Sequence, residues 1–353
     1  MTFPGVARVQ ARVKRFRDCF RPKALILLYH RVEDLTIDPQ LLAVHPRRFA
    51  EQMEYLTQQF AVVRLPELVE KRGQHPDRCV VVSFDDGYAD NLIQAKPILE
   101  RYQVPATVFI TSGNLGQNHE FWWDELEHIF LQPSLLPPKL RLQIAGVECQ
   151  WDLDRMTKYS QEELPLYNGW NVLSQGTPTV RHRVYRELCL LLRPLAESER
   201  KKVLEPLRAW SGVECNARKT HRCLTPAEVA SLASGSLVDV GAHTVSHTVL
   251  SRLSLREQQE EIYNSRDRLA GLMGRPVTTF AYPYGTPSDY TRDTVALVRE
   301  AGFSAACSNF PGLITKGEDV YQLPRFVVRD WGKDTFAEAV EDWFGGRRER
   351  ACS

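Results

Sequence analysis

Short apolar runs rich in β-branched residues recur along the chain, most of them followed by a stretch whose apolar positions return at the three-to-four-residue spacing of a helix. Residues 24–29, 79–83 and 106–110 predict strands with almost no polar interruption, as suits strands covered on both faces. Residues 49–59 and 91–102 predict the helices between them. The rhythm stops at about residue 114 and resumes near residue 222. In between, Trp122, Trp123, Trp151 and Trp170 lie among prolines and helix-compatible stretches at 124–131 and 179–192, which predicts an inserted, largely helical subdomain. A helix at 225–233 follows, with Thr225 as its cap and Glu228 three residues on. Strands at 237–240, 278–282, 304–307 and 326–328 then alternate with helices at 254–273, 291–301 and 335–344. About seven strands result, without an internal repeat, and a closed or nearly closed parallel α/β barrel is the economical fold. The expected organisation is a basic segment at 1–23, barrel at 24–113, insertion at 114–222, barrel again at 223–345 and a tail at 346–353.

Composition narrows the partners more than the fold. The chain has 353 residues, 43% hydrophobic and 25% charged, enough apolar material for a large core, and its net charge of +1 gives no ground for nucleic-acid binding. Arg8, Arg12, Lys14, Arg15, Arg17, Arg21 and Lys23 concentrate positive charge at the N-terminus, as a solvated face or as a peripheral contact with an anionic membrane. No apolar run reaches a membrane-spanning length and residues 1–20 lack the apolar centre of a secretory signal, so a cytoplasmic protein is expected, peripherally attached at most. The eight cysteines form no C-x-x-C pair, which suits reduced thiols. Cys215, His221 and Cys223 lack the fourth ligand and paired spacing of a zinc cluster and are expected to be structural.

In a parallel barrel, chemistry gathers where strands end at their C-terminal side. Ser83-Phe84-Asp85-Asp86-Gly87 sets two adjacent carboxylates just past a buried strand, and their diverging side chains let one bind a metal while the other approaches water. Alone, the motif could equally be a capped turn. After the next barrel strand but one, His243-Thr244-Val245-Ser246-His247 delivers two histidines four apart, a spacing that puts both on one side of a helical turn. Asp86, His243 and His247 thus offer one carboxylate and two imidazoles to a divalent ion, with zinc expected and cobalt, nickel or iron as alternatives, while Asp85 can serve as general base. A departing amine needs a proton, and His30, at the end of the first strand, is the candidate acid. Pro283 and Tyr284 in Phe280-Ala281-Tyr282-Pro283-Tyr284-Gly285 are candidates for a substrate wall, with the Tyr284 N–H as oxyanion donor.

These three motifs, in this order, closely resemble those of the polysaccharide deacetylases, the NodB-homology group of carbohydrate esterase family 4, over roughly residues 24–114 and 225–331. The resemblance implies a distorted (β/α)7-type barrel of the glycoside hydrolase/deacetylase kind. It also implies metal-dependent removal of N-acetyl, sometimes O-acetyl, groups from an N-acetylated glycan, polymeric or lipid-linked. The first aspartate of the pair would be the base, and the second aspartate and both histidines the ligands. Two departures stand out. Where the family often carries an arginine that orients the base, this chain has Ala281, so either Arg325 or Arg329, at the last strand, is expected to supply the charge from another direction, or Asp85 is tuned differently. The late Leu-x-His motif that provides the family's acid is missing, and Tyr29-His30 resembles members whose motif order is permuted. A barrel that binds carbohydrate without turnover and a metal-dependent hydrolase of a non-sugar amide are the alternative functions. Phe121-Trp122-Trp123-Asp124-Glu125 either borders the substrate or seals the insertion to the barrel. The sequence does not determine the number of chains that assemble.

Overall fold

The computed structural model describes residues 23–71, 73–214 and 216–346. The basic N-terminal segment apart from Lys23, Cys215 and the tail beyond residue 346 lie outside the described residues, and with them the expected membrane contact. Seven strands form one parallel sheet: β1 (Ala24–Tyr29), β2 (Cys79–Phe84), β3 (Ala106–Ile110), β4 (Val238–Ala242), β5 (Thr279–Ala281), β6 (Ala305–Cys307) and β7 (Phe326–Val327). Their order in space is β6-β5-β4-β3-β2-β1-β7, so each strand lies beside its predecessor until β7 returns to pair with β1. Leu323 bridges in parallel to Cys307 and, four residues later, Val327 pairs with Leu28, so one short stretch touches both edges of the curled sheet. Among the described residues, no helix is long and apolar enough to cross a membrane.

Side chains on β1 and β2 are buried along their whole length, which is why those segments contain no polar alternation. Helices begin where the sequence offers caps: Thr225–Glu228 and Ser254–Glu257 both form reciprocal capping boxes. Register carries the site. Tyr29 pairs with Phe84 and Phe84 with Val108, while Ala242 pairs with both Ile110 and Phe280 two residues further along, so His30, Asp85 and His243 are the first residues past strands that end on the same side of the sheet.

Residues 114–222 form a second apolar centre, with helices as its main regular structure and one hairpin that the sequence reading did not foresee. α1 (Trp122–Leu131), α2 (Val180–Leu192) and α3 (Glu197–Ser211) pack with an antiparallel hairpin, Lys139–Ile144 against Val147–Asp152. Its turn sets Ala145 and Gly146 at φ of 51° and 81°, the left-handed pair of a tight hairpin. The signal was the strict alternation of Leu140, Leu142 and Ile144, buried, with Lys139, Arg141 and Gln143, exposed. Trp151 and Trp170 join Phe130, Tyr185 and Leu188 in this core.

Candidate metal centre and active site

Asp86, His243 and His247 converge at the mouth of the sheet, with one ligand-type atom from each lying within 4.8 Å of the others. His247 Nε2 lies 3.2 Å and His243 Nε2 3.7 Å from Asp86 Oδ1. Burial holds both imidazoles below their usual pKa, His247 at about 3 with Arg200 adding to the effect, so at neutral pH they present lone pairs rather than protons. His243 donates from Nδ1 to the Ala281 carbonyl at 2.8 Å, which fixes its tautomer and leaves Nε2 aimed at Asp86. Burial pushes the Asp86 carboxyl up, and its Oδ1 has no hydrogen-bond partner among the described residues. An orphaned carboxylate oxygen facing two neutral nitrogens is a donor set that a divalent cation satisfies.

The histidines converge by a different route from the helical turn their spacing suggested. Residues 243–248 are irregular, and Thr244 and His247 take φ of 62° and 54°. Asp86 (76°) and Tyr284 (60°) are also left-handed, so four of the nine described non-glycine residues with positive φ gather here. Each such residue costs about 1–3 kcal/mol, and the surroundings hold this turn in place. The Thr244 hydroxyl accepts from His247 N–H, while Glu261 on α4 (Leu255–Met273) accepts from the N–H groups of Val245 and Ser246 at 2.8 and 2.9 Å. Arg200 on α3, itself buried, donates to the carbonyl of Ser246 and the hydroxyl of Thr248. Sequence reasoning missed Glu261 and Arg200, because neither lies in a motif or at a local spacing from the loop it supports.

Asp85 is clamped by Arg325, whose Nη1 and Nη2 each donate to one carboxylate oxygen at 2.7 Å. Burial would raise the Asp85 carboxyl, but Arg325 and the nearby histidines outweigh it and hold the value at about 2. Arg325 is 1% exposed and fixed by a further bond from Nε to the Ser308 carbonyl. Of the two arginines suggested by the sequence, Arg329 does not perform this task. It sits past the end of β7, donates to the Leu41 carbonyl and lines the pocket wall, whereas Arg325 precedes β7 and points beneath the mouth. The charge that Ala281 cannot supply thus arrives from the opposite edge of the sheet.

His30 lines the same cavity as Asp85, Asp86 and both histidines, and its loop is pinned by Asn91 Nδ2 donating to the His30 carbonyl at 2.9 Å. Burial lowers its pKa while Asp86 and Asp85 oppose the shift. The Tyr284 ring packs 4.7 Å from that of His247, and Tyr284 lines the cavity. Pro283 stays out of the lining, its carbonyl accepting from Gly285 N–H. Trp123 both seals the insertion against the barrel and faces the cavity. It packs 5.0 Å from His247, its Nε1 donates to the Tyr88 hydroxyl and through it to buried Asp124, and it also lines the cavity beside Trp122. The cavity measures about 560 Å³, room for a sugar residue and part of its neighbour. Cys223 and His221 are buried without joining a metal-type cluster among the described residues.

Fold and site together define a parallel (β/α) barrel with a carboxylate–histidine centre at its C-terminal mouth. The family model described as polysaccharide deacetylase matches residues 72–137 and 209–306, just under half of the chain. Among curated proteins, the chain is 28% identical over 111 residues to the putative polysaccharide deacetylase YxkH of Bacillus subtilis, covering 30% of this chain and 38% of that one. It is 31% identical over 111 residues to the poly-β-1,6-N-acetyl-D-glucosamine N-deacetylase of Staphylococcus aureus, covering 27% of this chain and again 38% of the relative. Among solved structures, the Streptococcus pyogenes deacetylase PplD in complex with acetate superposes with a TM-score of 0.55 at 15% identity, over 91% of this chain and 99% of the other. IcaB from Ammonifex degensii does so at 0.53 and 17% identity, over 92% and 97%. At these identities, the superpositions speak for the fold alone.

Proposed function

We propose that this protein hydrolyses the N-acetyl group of an amino-sugar residue in a glycan, releasing acetate and the free amine. The observation that carries the proposal is the pairing of Asp85, held charged by Arg325, with the neighbouring Asp86–His243–His247 cluster in one cavity. Asp86, His243 and His247 would hold a divalent ion, and their one-oxygen, two-nitrogen donor set favours zinc, with cobalt, nickel and iron compatible. When bound, the ion supplies Lewis acidity toward the amide carbonyl and toward water.

Asp85 takes one proton from the attacking water as the new C–O bond forms. Arg325 keeps both carboxylate oxygens aimed and prevents Asp85 from being protonated beforehand. The Tyr284 N–H helps stabilise the developing oxyanion. As the C–N bond breaks, His30 in its imidazolium form, which the nearby Asp86 and Asp85 favour against burial, gives a proton to the departing amine nitrogen, and acetate leaves. The similarity to relatives named N-deacetylases supports the reaction class, while the chain's matches span 38% of those relatives' own length, so the substrate is this proposal's and not theirs. The test is acetate release from a panel of N-acetylated glycans. Release is expected to stop with chelator and to fall about 10²–10⁴-fold in Asp85→Asn with bound metal retained. Full activity in that variant would remove Asp85 as base.

A further inference from the structure

The cavity wall beyond the metal centre has a charge of one sign. Arg186 and Arg193 come from the α2 region of the insertion and Arg329 from beyond β7, and among the described residues the only carboxylates lining the cavity are Asp85 and Asp86, one clamped by Arg325 and the other in the ligand cluster. Arg193 lies 4.4 Å over the Tyr284 ring and pairs with Asp289, which leaves its side chain 40% exposed. Arg186 and Arg329 spend their donors on carbonyl oxygens, of Ser174 and of Leu41, rather than on acids. Arg186 Nε is buried without a partner among the described residues. A neutral sugar polymer gives Arg186 and Arg329 no charge to pair with, whereas a phosphate ester offers two charged oxygens that the planar fork of a guanidinium can bind together.

Beside these arginines the lining is apolar: Leu42, Val172 and Val327, with Leu190 of α2 69% exposed at the rim. An exposed leucine at the mouth of a charged cavity suits a ligand whose anionic group is followed by hydrocarbon. Resting on the deacetylase reading, we propose that the substrate is an N-acetylated amino sugar bearing a phosphate on its anomeric oxygen, received by Arg186, Arg193 and Arg329. The phosphate could belong to a soluble sugar phosphate or to a lipid carrier, and Leu190 and its apolar neighbours favour the carrier.

Calorimetric titration of the full chain, treated with chelator so that phosphate cannot reach a metal, separates these possibilities with four probes: N-acetylglucosamine 1-phosphate, its dodecyl phosphodiester, uncharged dodecyl N-acetylglucosaminide, and chitotetraose. The dodecyl phosphodiester is expected to bind at least about tenfold more tightly than the uncharged glycoside of the same tail length, as one charge-assisted contact implies. The preference is expected to shrink with rising salt, to collapse in Arg186→Gln and Arg329→Gln, and to survive in part in Arg329→Lys. Near-ultraviolet circular dichroism of each variant identifies any that fail to fold, in which case the salt dependence of the unaltered chain decides. If the monophosphate binds as tightly as the diester, the phosphate stands and the lipid carrier falls. Equal binding of charged and uncharged probes overturns the inference. Acetate release by the metal-loaded protein then keeps the two readings apart: release from chitotetraose without preference for phosphate leaves the deacetylase intact and removes the arginine site. Phosphate-selective binding without release from any probe does the reverse.

Discussion

A buried carboxylate that is to accept a proton must first be kept charged, and at Asp85 a single fork of two 2.7 Å bonds from Arg325 does this. With both groups out of water, removing one leaves the other uncompensated. Arg325→Met is therefore expected to destabilise the protein by about 3–5 kcal/mol, unless Asp85 takes up a proton to escape the cost. Denaturant unfolding of Arg325→Met, Asp85→Asn and the double variant checks this: the double should be less damaged than the sum of the singles, and strict additivity would mean the pair is not coupled. Asp85, Asp86, His243 and His247 were legible because each lies in a short motif at a strand end. Arg325 was only one of two candidates, because the sequence does not reveal which of two arginines four apart on an irregular strand faces inward. The structure also removes Ala281 as a reason to regard the site as a binding module without turnover, since the arginine missing there is present from another strand.

At the scale of elements, the site depends on close approach between β3, β4 and the histidine turn. A Cβ added at Gly241 in β4 would lie 2.3 Å from Cδ1 of Phe109 in β3. Gly241→Ala should cost about 1–3 kcal/mol of overpacking, measured as a lowered unfolding midpoint, and Phe109→Leu on top of it should recover part of the loss. If Gly241→Ala is neutral, the strands are not held as tightly as described. The first turn of the insertion acts on the same site from outside. Trp123 packs on His247 and is tied through Tyr88 to Asp124. Outer partners of metal-ligating histidines typically matter 10–100-fold for metal affinity, so Trp123→Ala is expected to weaken metal binding by about tenfold or more in a competition titration. An unchanged affinity would reduce Trp123 to a wall of the cavity. The barrel helices and strands were legible from periodicity. The hairpin at Lys139–Ile144 was overlooked although its alternation was present, because the surrounding helix-compatible segments dominated the composition of the stretch.

For the whole molecule, metal and fold should be linked. The cluster lies where β2, the turn after β4 and the insertion meet, so an ion bound there stabilises all three against unfolding together. Zinc at 100 times its dissociation constant should add about 2.7 kcal/mol to stability and raise the melting temperature by several degrees. His247→Ala should abolish that increment, and a zinc-induced rise that persists in the variant would place the stabilising ion elsewhere. What the sequence determined by itself was local: the βα rhythm, the strand ends, the capping boxes, and the carboxylates and histidines that sit one step past those ends, because burial and hydrogen bonding write short periods and short motifs into the chain. What only the tertiary structure decided was every relation across the sheet. Arg325 reaches Asp85 from 240 positions away, Arg200 and Glu261 brace the left-handed histidine turn, and three arginines from two parts of the chain share one wall. Such pairs have no common spacing along the chain; only the register of neighbouring strands and the docking of the insertion bring them together.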